Sequence, residues 1–110
     1  MAHKILIVED EPEIRELLSF TLSRDGYDVL EAETAEAALV KMDSRMPDLA
    51  VVDWMLPGMD GVELARRIRR DEVGSDLPII MLTARGDEPD KLKSFANGVD
   101  DYITKPFSPR

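Results

Sequence analysis

The sequence predicts a doubly wound α/β domain built on a parallel five-stranded sheet, and three observations carry that prediction. Short β-branched runs alternate with stretches of helical period, the pattern of repeated βαβ units. The runs Leu49 to Val52 and Ile79 to Leu82 are apolar on both faces, as the centre of a sheet covered by helices on each side requires. Finally, four runs end in polar groups: Ile5 to Val8 in Glu9-Asp10, Leu49 to Val52 in Asp53, Ile79 to Leu82 in Thr83, and Tyr102 to Thr104 in Lys105-Pro106. Open α/β sheets keep their chemistry at the carboxyl ends of strands, so these groups form one candidate cluster.

Strands are expected near residues 4–9, 28–32, 48–53, 78–83 and 101–104. The first helix opens with Pro12, whose fixed φ suits the first helical position. It carries Ile14, Leu17, Leu18, Thr21 and Leu22 on one face, with Phe20 off that stripe, and stops at Gly26. The second follows Thr34 as N-cap and packs through Ala35, Ala38, Leu39 and Met42. The third runs from Gly61 to Arg70 with Leu64, Ala65 and Ile68 inward and Arg66, Arg67, Arg69 and Arg70 outward. A fourth starts by Pro89, uses Leu92 and Phe95 or Ala96, and ends at Asn97-Gly98. With right-handed crossovers, four helices leave one sheet face a helix short.

A chain of 110 residues supports one domain and one core, so an output module is expected elsewhere. Fourteen basic and 23 acidic residues give a net charge of −9, which repels phosphate backbones and argues against direct nucleic-acid binding. Without cysteine there is neither disulfide nor thiolate chemistry, and metal binding must be oxygen-based or fall to His3. The N-terminus reads Met1-Ala2-His3-Lys4 and leads straight into a strand, unlike a signal peptide. No apolar run approaches the roughly 20 residues of a membrane helix. A soluble, cytoplasmic chain is the expectation.

Glu9, Asp10 and Asp53 would lie side by side if the first and third strands are neighbours. Clustered carboxylates repel one another unless a cation or proton intervenes, and Mg²⁺ takes oxygen ligands with few protein carboxylates among them. Thr83 can donate a hydroxyl to a phosphoryl oxygen, and Lys105 can pair with phosphoryl charge. Together these residues describe phosphoryl transfer to a carboxylate nucleophile. Each also has a plain reading by itself: helix-capping acids before Pro12, a turn hydroxyl at Thr83, a solvated Lys105, a strand aromatic at Tyr102. Their joint placement on one sheet edge favours the chemical reading.

The motifs resemble those of the receiver domain of bacterial two-component response regulators. They are Ile5-Leu6-Ile7-Val8-Glu9-Asp10-Glu11, Pro47 through Asp53-Trp54-Met55-Leu56-Pro57-Gly58-Met59-Asp60-Gly61, Met81-Leu82-Thr83-Ala84, and Gly98 through Asp101-Tyr102-Ile103-Thr104-Lys105-Pro106-Phe107. Asp53 to Pro57 and Leu82 to Gly86 are most similar to the winged-helix transcription-factor branch, the PhoB/OmpR class. The resemblance implies a flavodoxin-like strand order 2-1-3-4-5. It also implies that Asp53 accepts a phosphoryl group from a sensor histidine kinase. Glu9, Asp10, Asp53 and the Met55 carbonyl would hold Mg²⁺, or Mn²⁺ in its place. Lys105 would bind the phosphoryl group, Thr83 and Tyr102 would switch, and the Lys105-Pro106 bond would be cis. Such a domain assists its own phosphorylation and slow dephosphorylation but is not otherwise an enzyme.

Met55 and Arg85, two residues past Asp53 and Thr83, would flank the water that hydrolyses the acyl phosphate. A thioether gives that water no hydrogen bond, so slow dephosphorylation is expected. The family continues past Phe107-Ser108-Pro109 into a fifth helix, so residues 1–110 are expected to be a receiver domain without that helix and without an effector domain. Lys91, Lys93, Asp100 and Asp101 resemble part of a dimerisation face. Self-association through the fourth helix and fifth strand, or by element exchange, is therefore expected. Two rival readings remain: a phosphorylation-independent interaction or domain-swapped module, and an aspartate-nucleophile Mg²⁺ phosphohydrolase. The second usually needs another acid two residues after the nucleophile, where this chain has Met55.

Overall fold

The computed structural model describes residues 3–71, 74–83 and 101–104, the side chains of Tyr102 and Thr104 excepted. The elements run β1 (Lys4–Val8), α1 (Pro12–Arg24), β2 (Asp28–Ala32), α2 (Ala35–Ser44), β3 (Leu49–Asp53), α3 (Gly61–Arg70), β4 (Ile79–Thr83) and β5 (Asp101–Thr104). All five strands pair in parallel in the order β2-β1-β3-β4-β5, the expected fold. The expected fourth helix, together with Arg85, Lys91, Lys93, Asp100, Lys105 and Pro106, lies outside the described residues.

Local chemistry explains the element ends. Pro12 occupies the first turn of α1, and Glu11 is its N-cap residue without a side-chain cap bond. The helix ends at Arg24 rather than Gly26. Gly26 follows with φ +97°, a left-handed conformation that glycine adopts without steric cost. Thr34 Oγ1 accepts the Ala37 N–H at 3.0 Å at the start of α2, and Asp60 Oδ1 accepts the Glu63 N–H at 2.9 Å at the start of α3. These bonds satisfy donors that the helices cannot satisfy themselves.

Among the described residues, the two faces of the sheet are covered unequally. Leu6, Val8, Ala50, Val52, Ile79 and Met81 pack with Ala35, Ala38 and Met42 of α2 and with Val62, Leu64, Ala65 and Ile68 of α3. On the other face Ile5, Val51 and Leu82 form a smaller cluster against Leu18 and Leu22 of α1. Of the expected stripe of α1, Leu18 and Leu22 meet the sheet, and no residue of that helix is fully buried. Burying one large aliphatic side chain contributes about 1.5–3 kcal/mol, so among the described residues the α2 and α3 side supplies most of the apolar stabilisation. Arg69 departs from the expected outer basic face of α3. It folds back to donate to the carbonyls of Gly74, Ser75 and Leu77, while Arg66, Arg67 and Arg70 stay exposed.

Candidate functional site

Val8 and Val52 are partners across β1 and β3, so the next residues, Glu9 and Asp53, leave adjacent strands together. Asp10 follows Glu9 at the same edge. Each of the three offers a carboxylate oxygen, and these atoms lie within 4.8 Å of one another. Glu9 is fully buried and Asp53 nearly so at 3% exposed, whereas Asp10 is exposed. The cluster therefore has a dry floor and a wet lip. Buried carboxylates need donors or a cation. Some donors are main-chain: Glu9 Oε2 accepts the Glu11 N–H at 3.1 Å and Asp53 Oδ1 accepts the Met55 N–H at 3.3 Å. Glu11 holds the cap position of α1, so the Glu9 carboxylate meets the start of that helix as well as the acid cluster. Three oxygen donors open to solvent on one side also suit a hard divalent cation that keeps some of its water.

The loop after Asp53 is held tightly. Trp54 N–H donates to the Leu82 carbonyl at 3.0 Å, and the Trp54 carbonyl accepts from Leu56 at 3.1 Å and Gly61 at 2.9 Å. A β-carbon at Gly61 would stand 2.3 Å from the Asp53 carbonyl oxygen, so only glycine lets α3 start this close to the strand end. Met55 is exposed, at 67%.

Thr83 ends β4, next to the Asp53–Leu82 pair, and is 2% exposed. Its hydroxyl donates to the Ile103 carbonyl of β5 at 3.4 Å. Glu9, Asp10, Asp53 and Thr83 thus share one edge of the sheet, as expected. Tyr102 pairs with Met81 through the main chain. The Tyr102 side chain, Arg85, Lys105 and Pro106 lie outside the described residues.

One contributor is absent from the sequence reading. Arg15 of α1, its side chain 13% exposed, donates from Nη1 to the Glu9 carbonyl at 2.8 Å. Its Nε meets Glu31 at 3.2 Å and its Nη2 meets Glu33 at 3.4 Å. No spacing rule distinguishes this arginine from a solvated one; only the β1–β2 register brings its partners together. At the opposite edge, Asp48 is held below the ordinary carboxylate range, first by the Lys4 N–H that it accepts at 2.7 Å and then by the charges of His3 and Lys4.

A parallel sheet with an acidic, oxygen-rich site at the carboxyl ends of its central strands defines an α/β phosphoryl- or metal-handling domain. Residues 5–110 match the response regulator receiver domain, and the chain belongs to that family. It is 56% identical over 106 residues to the phosphate regulon transcriptional regulatory protein PhoB of Pseudomonas aeruginosa, covering 96% of this chain and 46% of that protein. It is 48% identical over 110 residues to the alkaline phosphatase synthesis transcriptional regulatory protein PhoP of Bacillus subtilis, covering all of this chain and 45% of that protein. The chain spans about half the length of these relatives. A putative response regulator from Chloroflexus aurantiacus superposes with TM-score 0.91 at 40% identity, over 99% of this chain and 89% of that one. The receiver domain of a sensor histidine kinase from Pseudomonas aeruginosa, solved with magnesium in its active-site cleft, superposes with TM-score 0.87 at 32% identity, over 98% and 88% of the two chains. Among the described residues no helix is long and apolar enough to cross a membrane.

Proposed function

We propose that this chain receives a phosphoryl group on Asp53 from a phosphohistidine of a sensor kinase and so regulates a transcription-factor output. The observation that carries this reading is the convergence of Glu9, Asp10 and Asp53 within 4.8 Å at adjacent strand ends. These three acids, with the main-chain carbonyl of Met55, would hold Mg²⁺, for which Mn²⁺ would substitute. The cation held in a relative's cleft supports that use. When bound, it offsets the charge of the carboxylates and of the phosphoryl oxygens.

The rest follows from the chain's own groups. An oxygen of Asp53 attacks phosphorus, the P–N bond breaks, and its electron pair returns to the imidazole, leaving an acyl phosphate. Lys105 would pair with the new charge. Thr83 would exchange the Ile103 carbonyl for a phosphoryl oxygen, giving up a bond worth about 0.5–1.5 kcal/mol. Movement at Thr83, with Tyr102 following, would shift a two-state equilibrium of the β4–β5 edge. The chain would catalyse only its own phosphorylation and slow dephosphorylation. Met55 offers no second acid, which disfavours a phosphohydrolase. Incubation with a small acyl phosphate and Mg²⁺, followed by intact-mass measurement, should give one phosphoryl adduct on the parent chain and none on Asp53→Asn. No adduct on the parent, or an equal one on the variant, would overturn the assignment.

A further inference from the structure

We propose that Arg15 is a positioning residue for the acid cluster: its guanidinium fork fixes the Glu9–Asp10 peptide and ties its orientation to β2. The inference rests on the reading of the acids as a Mg²⁺ site.

Glu9 is pinned through its main chain from two directions. Its N–H donates to the Ala32 carbonyl of β2 at 3.0 Å, and its carbonyl accepts from Arg15 at 2.8 Å. That carbonyl belongs to the peptide unit joining Glu9 to Asp10, and a peptide is planar. Fixing the oxygen therefore fixes the plane from which both acidic residues leave. The remaining guanidinium nitrogens meet Glu31 at 3.2 Å and Glu33 at 3.4 Å, and Glu31 is itself steadied by the Ser19 hydroxyl at 3.3 Å.

Two features make this more than a surface ion pair. Arg15 is mostly covered, at 13% side-chain exposure, so its interactions are screened less than those of exposed pairs. Its acceptors come from three places in the chain: the end of β1, the body of β2, and the loop before α2. A planar fork can meet three divergent acceptors, while the point charge of lysine cannot. Groups that orient metal ligands typically contribute about 10–100-fold to metal affinity.

The test is Mg²⁺ titration of the full chain, followed by the fluorescence of Trp54, the chain's single tryptophan and the residue after Asp53. Thermal unfolding in a chelator confirms that each variant is folded. Arg15→Gln should weaken Mg²⁺ binding about tenfold or more. Arg15→Lys should fall between it and the parent, and Arg24→Gln, on the exposed face of the same helix, should match the parent. Saturating Mg²⁺ should restore the rate of phosphorylation of Arg15→Gln by an acyl phosphate, as a defect confined to metal positioning requires. A Mg²⁺ affinity within twofold of the parent would overturn the proposal. Should Arg15→Gln fail to fold, Glu31→Gln loosens the fork without removing it; a several-fold loss of affinity supports the proposal and an unchanged affinity overturns it. A parent chain without a saturable Mg²⁺ response would overturn both this inference and the phosphoacceptor reading. A normal parent with indifferent Arg15 variants would remove the inference alone.

Discussion

At Asp53 burial and the proposed reactivity fall on one residue. The carboxylate is 3% exposed, yet its neighbour Asp10 is open to solvent, so a phosphodonor would approach from the Asp10 side. Met55, two residues on, has an exposed, apolar side chain. A thioether is a weak acceptor and donates nothing, so it cannot orient a hydrolytic water. Asn at the same place offers both a donor and an acceptor. Met55→Asn should shorten the acyl-phosphate lifetime several-fold without altering formation of the adduct, as followed by intact mass over time. Identical decay curves would remove Met55 from the account of lifetime. The acids, Asp53 and Thr83 were legible as sequence because each closes its own apolar run. Arg15 was not, because its partners are defined by strand register and not by spacing. The acceptor of the Thr83 hydroxyl, the Ile103 carbonyl, was hidden for the same reason.

Among the elements, loops and strand edges decide how well the site is held. The fold was readable to within a residue or two at most ends, since Pro12 and Thr34 mark helix starts by chemistry that does not depend on tertiary context. The close approach of Gly61 to Asp53 needed coordinates. Gly61→Ala would press a β-carbon into the Asp53 carbonyl oxygen and the Met81 sulfur, against backbone that cannot simply move aside. Overpacking of this kind costs about 1–3 kcal/mol. The expected outcome is a lowered denaturation midpoint together with slower phosphorylation of Asp53. At the other edge, Asp48 joins β1 to β3 through the Lys4 N–H, and Asp48 N–H donates in turn to the Lys4 carbonyl at 2.8 Å. Because the folded carboxyl is held below its ordinary 3.8, its ionised form stabilises the fold fully above that value, and the contribution disappears as pH falls through the lowered one. The difference in Tm between the parent and Asp48→Asn should therefore shrink as pH drops from neutrality to below 3.8. A difference independent of pH would show that the charge contributes nothing.

At the scale of the whole molecule, the exposed apolar residues of the β4–β5 edge have a consequence for association. The register places Ile103 of β5 beside Leu82, on the face where Leu82, Val51 and Ile5 meet α1. Leu82 is fully buried, whereas Ile103 is 45% exposed and Ile80 on the same face is only partly covered. An apolar strip at a sheet edge is a natural contact for a second copy or for another element of a longer chain. The net charge of −9 opposes close approach of two copies, and salt screens that repulsion within about 10 Å at 0.1 M. Self-association should therefore strengthen with ionic strength if apolar contact drives it, and weaken if ion pairs such as those expected of Asp101 drive it. Sedimentation across a concentration series at low and moderate salt separates the two. Ile103→Lys should lower the associated fraction by placing charge within the strip. A chain that stays monomeric at every salt concentration and binds no hydrophobic dye would show that this face is satisfied within a single copy, and would direct the search for a phosphorylation-dependent contact to the remainder of the β4–β5 edge.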